Sequence, residues 1–255
     1  MFTRLIDSDW FDFIYPLLLI AFVASGYFLA NKYYKSKNLT WQSAGVESSV
    51  IGLFALLLAF TFSSASGSMR DRNQAIHEEA NSLANLHRSS LMGDDSLRQF
   101  TSQYLLKVIG QLGHYSDVSR KELNILHQDI EQTQRAYLKS LREYNQLHPG
   151  IGEKYLAAFN AVNASYYRMI GAYDQRIPPV IMVLLVVSSL LIGLLIGFMN
   201  GHSRQQHFLA PFIFVVLVVL SIQAIRDLDN PSSGSVRPVF NNFNQLSNYV
   251  ESTGH

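Results

Sequence analysis

The sequence contains no cysteine and few charged residues, and each shortage excludes a class of protein. Without cysteine, the chain cannot form disulfides, thiolate metal sites or a cysteine nucleophile. Only 15% of its residues are charged whereas 48% are apolar, a balance too hydrophobic for an ordinary soluble domain. The formal net charge is +1 and no cluster of Lys or Arg occurs, so we expect no nucleic-acid partner.

The sequence also lacks the common catalytic motifs. It has no Walker loop, dinucleotide fingerprint, HExxH zinc helix or GxSxG elbow. The segment that begins at His77 (HEEAN) lacks the second histidine of a zinc helix. No set of residues in the sequence indicates a catalytic site, and we predict that the protein is not an enzyme.

What the sequence has instead is four long runs without Asp, Glu, Lys or Arg. They cover residues 13–31, 48–69, 177–203 and 205–225. A run of about 20 apolar residues can cross the roughly 30 Å hydrocarbon core of a bilayer as a helix. We therefore predict four transmembrane helices, at about 13–31, 46–69, 177–200 and 207–225. No Asp, Glu, Lys or Arg lies within the runs, which argues against a coupled transporter but not against a passive pore.

The second run continues without proline into a charged helical segment, so we predict one long helix over 46–91, half in lipid and half in water. The rest of the middle region also has a helical pattern. The predicted fold is all-α: a four-helix transmembrane bundle with a helical extramembrane domain inserted between the second and third transmembrane helices. The predicted boundaries are 1–69 for the first hairpin, 70–176 for the helical domain, 177–226 for the second hairpin and 227–255 for a polar tail.

Apolar side chains recur at three- and four-residue spacing along the last helix of the middle region. They are Tyr155, Phe159, Val162, Tyr166, Met169 and Tyr173. A stripe of this kind is typical of a helix face buried in a core, although an aromatic ligand-binding surface has the same pattern.

Three large apolar residues of the second transmembrane helix, Phe54, Leu58 and Phe62, recur at every fourth position. If several subunits pointed this face at a common axis, the three would form an apolar pore neck. Hydroxyl residues that include Ser63 and Ser66 would line the passage below it. The alternative is that these side chains face lipid or the core of the bundle.

Small residues form a ridge on the third transmembrane helix, at Gly193, Gly197 and Gly201. Glycine at every fourth position lets helix backbones approach closely in a membrane. The ridge predicts helix packing, either within one subunit or between subunits of an oligomer.

Oxygen-bearing side chains follow the fourth transmembrane helix. Asp227, Asp229 and Asn230 are hard ligands that could hold Ca²⁺. Their spacing is not that of an EF-hand, and carboxylates before Asn-Pro also make an ordinary turn.

The charges of the two short connecting loops bear on orientation. Lys32, Lys35 and Lys37 lie in the first loop and Arg204 lies in the second. By the positive-inside rule these loops face the cytoplasm, and the helical domain lies on the opposite side.

Two segments resemble the bacterial bestrophin-like family, a group of four-pass membrane proteins under a domain of unknown function. The first is the apolar LLLAFTFS run followed by a stretch with Arg and Asp and then by Glu78-Glu79-Ala80-Asn81. The second is the post-membrane segment DLDNPSSG, which begins at Asp227 and is similar to that family's signature of an acidic residue followed by P-x-x-G. The resemblance extends over nearly the whole chain in layout.

The resemblance implies a pentameric, Ca²⁺-gated anion channel in the bacterial cytoplasmic membrane. It also implies a neck at Phe54, Leu58 and Phe62, an acidic clasp at Asp227 and Asp229, and a helical domain in the cytosol. The side of the membrane that holds this domain therefore stays open. The expected function is a homo-oligomeric, anion-selective ion channel in a lipid bilayer. The alternative is a non-conducting membrane scaffold or sensor whose helical domain binds a partner or ligand.

Overall fold

The structure, a computed structural model, describes residues 8, 10–35, 45–115, 120–149, 152–202, 208–231 and 236–253. Lys37 and Arg204, which contribute to the orientation argument, lie outside these residues, as do residues 232–234 of the DLDNPSSG segment. Eight α-helices occur in the described ranges, and no strand does. They are α1 (Phe11–Leu29), α2 (Val46–Ser90), α3 (Asp95–Gly113), α4 (Arg120–Leu147), α5 (Gly152–Asp174), α6 (Pro179–His202), α7 (Leu209–Asp229) and α8 (Asn241–Thr253).

Four of the helices are long and apolar enough to cross a membrane: α1, α2, α6 and α7. This confirms the predicted all-α fold with four membrane helices. As predicted, α2 is one continuous helix, 45 residues long. A six-residue π-helical turn, Ala30–Lys35, extends α1. Proline begins α6 at Pro179, where its missing N–H has no helical partner in any case.

The chain divides into two compact units, which we call the membrane unit (residues 1–66 and 176–229) and the helical unit (residues 67–175 and 230–255). In the membrane unit, α1 packs along α6, and both helices contact α7. The core of this unit is apolar and includes Leu19, Leu185 and Ile222, each of which is fully buried.

The helical unit contains the charged part of α2 together with α3, α4, α5 and α8. Its core includes the aromatic stripe of α5, and all six residues of that stripe are buried. The helix-spaced pattern therefore marks a packed face, as the sequence predicted. At the start of α3, the Asp94 side chain accepts a hydrogen bond from the Leu97 N–H at 2.9 Å, which satisfies one of the free donors at a helix N-terminus.

The C-terminal tail contains helix α8, which belongs to the helical unit. Phe243, Leu246 and Val250 of α8 are buried in the core of that unit. At the end of α8, the Thr253 hydroxyl lies 2.7 Å from Nε2 of the buried His87 on α2. The tail is thus a structural part of the helical unit.

Candidate functional site

Within the membrane unit, α2 has one face turned into the core of its own chain. Phe54, Thr61 and Ala65 lie on this face and are buried. Phe54 packs in the apolar core of the unit, and the Thr61 hydroxyl donates to the Leu57 carbonyl at 2.8 Å. This face therefore holds α2 in its own bundle.

The exposed surface of the same helix divides into two parts. Leu53, Leu56 and Phe60 form a bulky apolar strip that suits lipid contact. Beside it runs a strip of small and hydroxyl side chains, which we call the small face. It consists of Gly52, Ala55, Ala59, Ser63 and Ser66, all of which are exposed.

The three residues predicted to form a neck do not share one environment. Phe54 is 5% exposed, Leu58 is half-buried and Phe62 is 45% exposed. The reason is helix geometry: each step of four residues turns about 40°, so Phe54 and Phe62 point about 80° apart. Of the three, Phe62 is the one that lies at the edge of the small face and away from the core of its own chain.

The glycine ridge of α6 lies directly against α1. A methyl group built on Gly197 would meet the Val23 carbonyl oxygen at 1.9 Å, and one on Gly201 would meet the Tyr27 carbonyl oxygen at 2.7 Å. Gly193 faces the Leu19 side chain. The Tyr15 hydroxyl on α1 also donates to the Ser189 hydroxyl on α6 at 2.9 Å. The structure therefore places these three glycines at a helix contact within one chain.

At the end of α7, the acidic segment already has partners within the membrane unit. Asp229 Oδ1 accepts a hydrogen bond from the Ile177 N–H at 2.7 Å, just before α6 begins. Nearby, Arg226 forms two bonds to Asp12, at 2.6 and 3.1 Å, and its guanidinium lies over the Phe11 ring. Sequence reasoning missed this ion pair, because 214 residues separate its members and neither carries a motif.

A calcium site is not complete in this segment of one chain. Ca²⁺ takes six to eight oxygen ligands, several of them carboxylates. Among the described residues, no group of three or more Asp, Glu or His side chains is arranged to hold a metal ion. One oxygen of Asp229 is already bonded to a backbone N–H. Asp227, Asp229 and Asn230 by themselves therefore supply fewer side chains than a Ca²⁺ site takes, and calcium binding stays a prediction.

Comparison with known proteins decides the family. The sequence profile of the bestrophin-like domain matches residues 17–237. The chain belongs to the bestrophin-like family. Among curated proteins, a sequence search finds no match.

Solved structures share this bestrophin-like fold. A crystal structure of a bacterial bestrophin homolog from Klebsiella pneumoniae superposes with a TM-score of 0.69 at 14% identity, covering 93% of this chain and 97% of that one. A single-substitution variant of that homolog gives a TM-score of 0.70 at 14% identity, with coverages of 93% and 98%. A membrane-protein crystal structure gives 0.70 at 12% identity, with coverages of 96% and 98%. At such low identity the likeness concerns the fold.

The bestrophin-like Glu78-Glu79-Ala80-Asn81 segment lies on α2 within the helical unit. Glu78 forms a surface ion pair with Arg168 of α5 at 2.5 Å. The hydrogen bond from Arg168, with a smaller contribution from Gln74, lowers the pKa of the Glu78 carboxyl. Glu79 is fully buried and accepts a hydrogen bond from Ser165 of α5. Both glutamates therefore join α2 to α5.

Proposed function

We propose that this bestrophin-like chain assembles with copies of itself into an ion channel of the bacterial cytoplasmic membrane, with α2 lining the pore. The family resemblance implies five copies. The observation that carries the proposal is the small face of α2. This strip of Gly, Ala and Ser is exposed in the single chain, and it gives the pore small side chains with hydroxyl groups.

The chemistry of α2 supports conduction of anions. From Ser48 to Met69 the helix has no acidic side chain that would attract cations. Ser63 and Ser66 are exposed on the small face. A serine O–H can donate a hydrogen bond to a passing anion and so replace part of its hydration shell. We therefore propose anion selectivity.

We propose that Phe62 forms the narrowest apolar part of the pore, with Leu58 beside it. A ring of large apolar side chains impedes ions because it does not replace their hydration. Phe62 lies at the edge of the small face, whereas Phe54 packs in its own bundle. In this proposal, Phe54 contributes to the neck by holding the helix that presents Phe62.

Replacing Phe62 with alanine is expected to raise chloride flux several-fold, because the substitution widens and wets the constriction. The measurement is flux through purified protein in liposomes, with chloride and potassium gradients set separately. Phe60→Ala is the matched control. It removes the same side chain from the bulky apolar strip, where Phe60 is 67% exposed, and should leave flux unchanged.

Equal flux in the Phe62→Ala variant and the unchanged protein would show that Phe62 of α2 does not form the neck. The double change Phe54→Ala with Phe62→Ala is expected to raise flux or alter selectivity, with an added loss of stability from the cavity at Phe54. The same assay with Ca²⁺ added or chelated tests calcium control. Calcium-dependent flux that Asp227→Asn abolishes would place Asp227 in a calcium site that oxygen ligands from outside this segment complete.

A second candidate function is a non-conducting sensor or scaffold, supported by a groove on the helical unit. This groove lies between α2 and α5 and encloses about 440 Å³. Polar side chains that include Asp71, Gln74, Glu78, Arg168 and Gln175 line it together with Ala75, Gly171 and Ala172. A well-folded oligomer that passes neither chloride nor potassium, with or without Ca²⁺, would favour this function over the channel.

A further inference from the structure

Two adjacent glutamates on α2 have opposite surroundings. Glu78 lies at the surface of the helical unit, where it accepts bonds from Arg168 at 2.5 Å and Gln74 at 3.1 Å. Glu79 is 0% exposed. Neighbouring helix residues point about 100° apart, so one carboxyl faces water and the next faces the core. The pair provides a direct comparison between a solvated and a buried acid.

The buried carboxyl of Glu79 has only part of the hydrogen bonding that it needs. Its Oε2 accepts a bond from the Ser165 hydroxyl on α5. Its Oε1 is buried with no hydrogen-bond partner among the described residues. Across the described ranges, no Lys, Arg or His forms an ion pair with Glu79. A charge at this position would therefore lack compensation.

Tyrosine hydroxyls face the Glu79 carboxyl from two other helices. Tyr104 of α3 and Tyr166 of α5 both interact with it electrostatically. The Tyr166 hydroxyl is buried with no hydrogen-bond partner in the described structure, whereas the Tyr104 hydroxyl lies within reach of the Gln134 side chain. They are uncharged near neutral pH, because burial raises the pKa of both phenols further above the ordinary value of 10.

Helix α4 completes the surroundings with polar and acidic groups. Gln134 and Tyr137 lie beside Tyr104, and the Tyr104 and Tyr137 rings stack with 4.3 Å between their centroids. Glu131 faces Tyr166, and the ring of His127 lies edge-on to it. The Glu131 carboxyl pairs with the exposed Arg135 of the same helix at 3.1 Å, so this arginine compensates Glu131 and forms no ion pair with Glu79.

Protonation of Glu79 removes the uncompensated negative charge from the interior of the helical unit. A carboxylate held in an apolar interior without a cation is unfavourable, whereas the neutral acid keeps its acceptor oxygen and gains an O–H donor. Burial accordingly raises the pKa of Glu79 to about 8, and the Ser165 bond opposes this only in part. At neutral pH the carboxyl is mostly protonated.

We propose that Glu79 is a proton-binding site of the helical unit, and that loss of its proton loosens the packing of α2 against α3 and α5. The ligand is the proton itself. A small surface pocket of about 130 Å³ between α4 and α5, lined by Glu131, Gln134 and Asn163, brings solvent close to the cluster. Gln134 borders both this pocket and Tyr104. The proposal does not depend on ion conduction.

The site predicts the sign of a pH effect on stability. The pKa of Glu79 is about 8 in the folded chain against an ordinary 4.5. The folded state holds the proton more tightly than the unfolded state. The protonated Glu79 therefore adds its full contribution to the free energy of unfolding below about pH 4.5, and this contribution falls as the pH rises to about 8. Burial lowers the pKa of His87 and His127, so these two histidines make the free energy of unfolding rise with pH. Variants must therefore be compared at matched pH.

Infrared difference spectroscopy on the full-length protein tests whether Glu79 is protonated. Surface carboxyls are ionised by about pH 6.5, so a neutral-acid C=O band lost between about pH 6.5 and about pH 9.5 reports a carboxyl with a raised pKa. We expect this band in the unchanged protein and in Glu78→Gln, and its loss in Glu79→Gln. Absence of the band in the unchanged protein, or its persistence in Glu79→Gln, would overturn the proposal.

Hydrogen exchange tests the structural consequence. Between about pH 6.5 and about pH 9.5, α2 and α5 of the unchanged protein should lose more protection, after correction for intrinsic rates, than those of Glu79→Gln. Equal losses would overturn the coupling to packing. If Glu79→Gln does not fold, Ser165→Ala serves instead, because it removes the donor to Oε2 and should shift the infrared band. An unshifted band in that variant would contradict the assignment.

Discussion

Replacing Arg72 with alanine is expected to unfold the helical unit under conditions where the unchanged protein stays folded. Arg72 is 1% exposed, and its guanidinium donates to two backbone carbonyls at the end of α5. Nε lies 3.3 Å from the Ala172 oxygen, and one terminal nitrogen lies 2.5 Å from the Gln175 oxygen. A buried cation at a helix C-terminus satisfies carbonyls that have no helical partner and opposes the negative end of the helix dipole.

The expected loss is large because Arg72→Ala has several costs at once. A hydrogen bond to a charged group contributes about 1.5–3 kcal/mol, and the substitution also removes the charged donor from two partly buried carbonyls and opens a cavity. Together these suggest a loss of about 3–6 kcal/mol, against the roughly 5–15 kcal/mol that stabilises a typical domain. Circular dichroism during heating in detergent, with limited proteolysis of the helical unit, measures it.

Arg70→Ala is the matched control for Arg72→Ala. Arg70 is the same residue type two positions earlier on α2, and its side chain is exposed. The control should change the unfolding midpoint little, because exposed charges contribute little to stability. An Arg72→Ala protein that melts together with the Arg70→Ala protein would show that the C-terminus of α5 is satisfied without Arg72.

Adding one methyl group at Gly197 is expected to separate α1 from α6. The new carbon would lie 1.9 Å from the Val23 carbonyl oxygen and 2.8 Å from the Val23 carbonyl carbon. Both atoms belong to the backbone, so no side-chain rotation relieves the clash, and one helix must move. Overpacking costs about 1–3 kcal/mol of stability where side chains can adjust. Because the obstacle at Gly197 is backbone, we expect Gly197→Ala to cost about 3 kcal/mol or more.

Gly52→Ala is the control for the glycine ridge, because a methyl group at Gly52 would meet nothing within 4 Å in the chain. At about 2–4 °C per kcal/mol for a chain of this size, Gly197→Ala should lower the unfolding midpoint by several degrees, and Gly52→Ala should not. Equal midpoints for the two variants would mean that α1 and α6 do not pack as closely as the structure places them.

Several features of this protein could be predicted from its sequence because they depend on local patterns. Four uncharged runs of membrane-spanning length predicted the four apolar helices. The absence of proline after Met69 predicted one helix over 46–91, and α2 continues to Ser90 as a single helix. The spacing of aromatic residues on α5 predicted a buried face, because helical periodicity alone decides which side chains share a face.

The environments of individual side chains could not be predicted in this way. Phe54 and Phe62 have the same residue type and lie on one apparent stripe, yet one is buried in its own bundle and the other is exposed. Glu78 and Glu79 are adjacent and chemically identical, yet one pairs with Arg168 and the other is enclosed by helices α3 to α5. The composition of 227–255 indicated a polar tail, although α8 inserts Phe243 and Val250 into a core.

The sequence by itself determined the class of fold, the number of membrane helices and the family, since hydrophobic run length, helical periodicity and short motifs are properties of contiguous segments. Only the tertiary structure decided which glycine contacts the backbone of another helix, which arginine donates hydrogen bonds to the carbonyls at a helix C-terminus, and which carboxyl is buried away from water. Those outcomes depend on contacts between distant segments, such as Gly197 with Val23 and Arg72 with Ala172. Burial and hydrogen bonding at each position follow from these contacts, and they set the chemistry of the side chains.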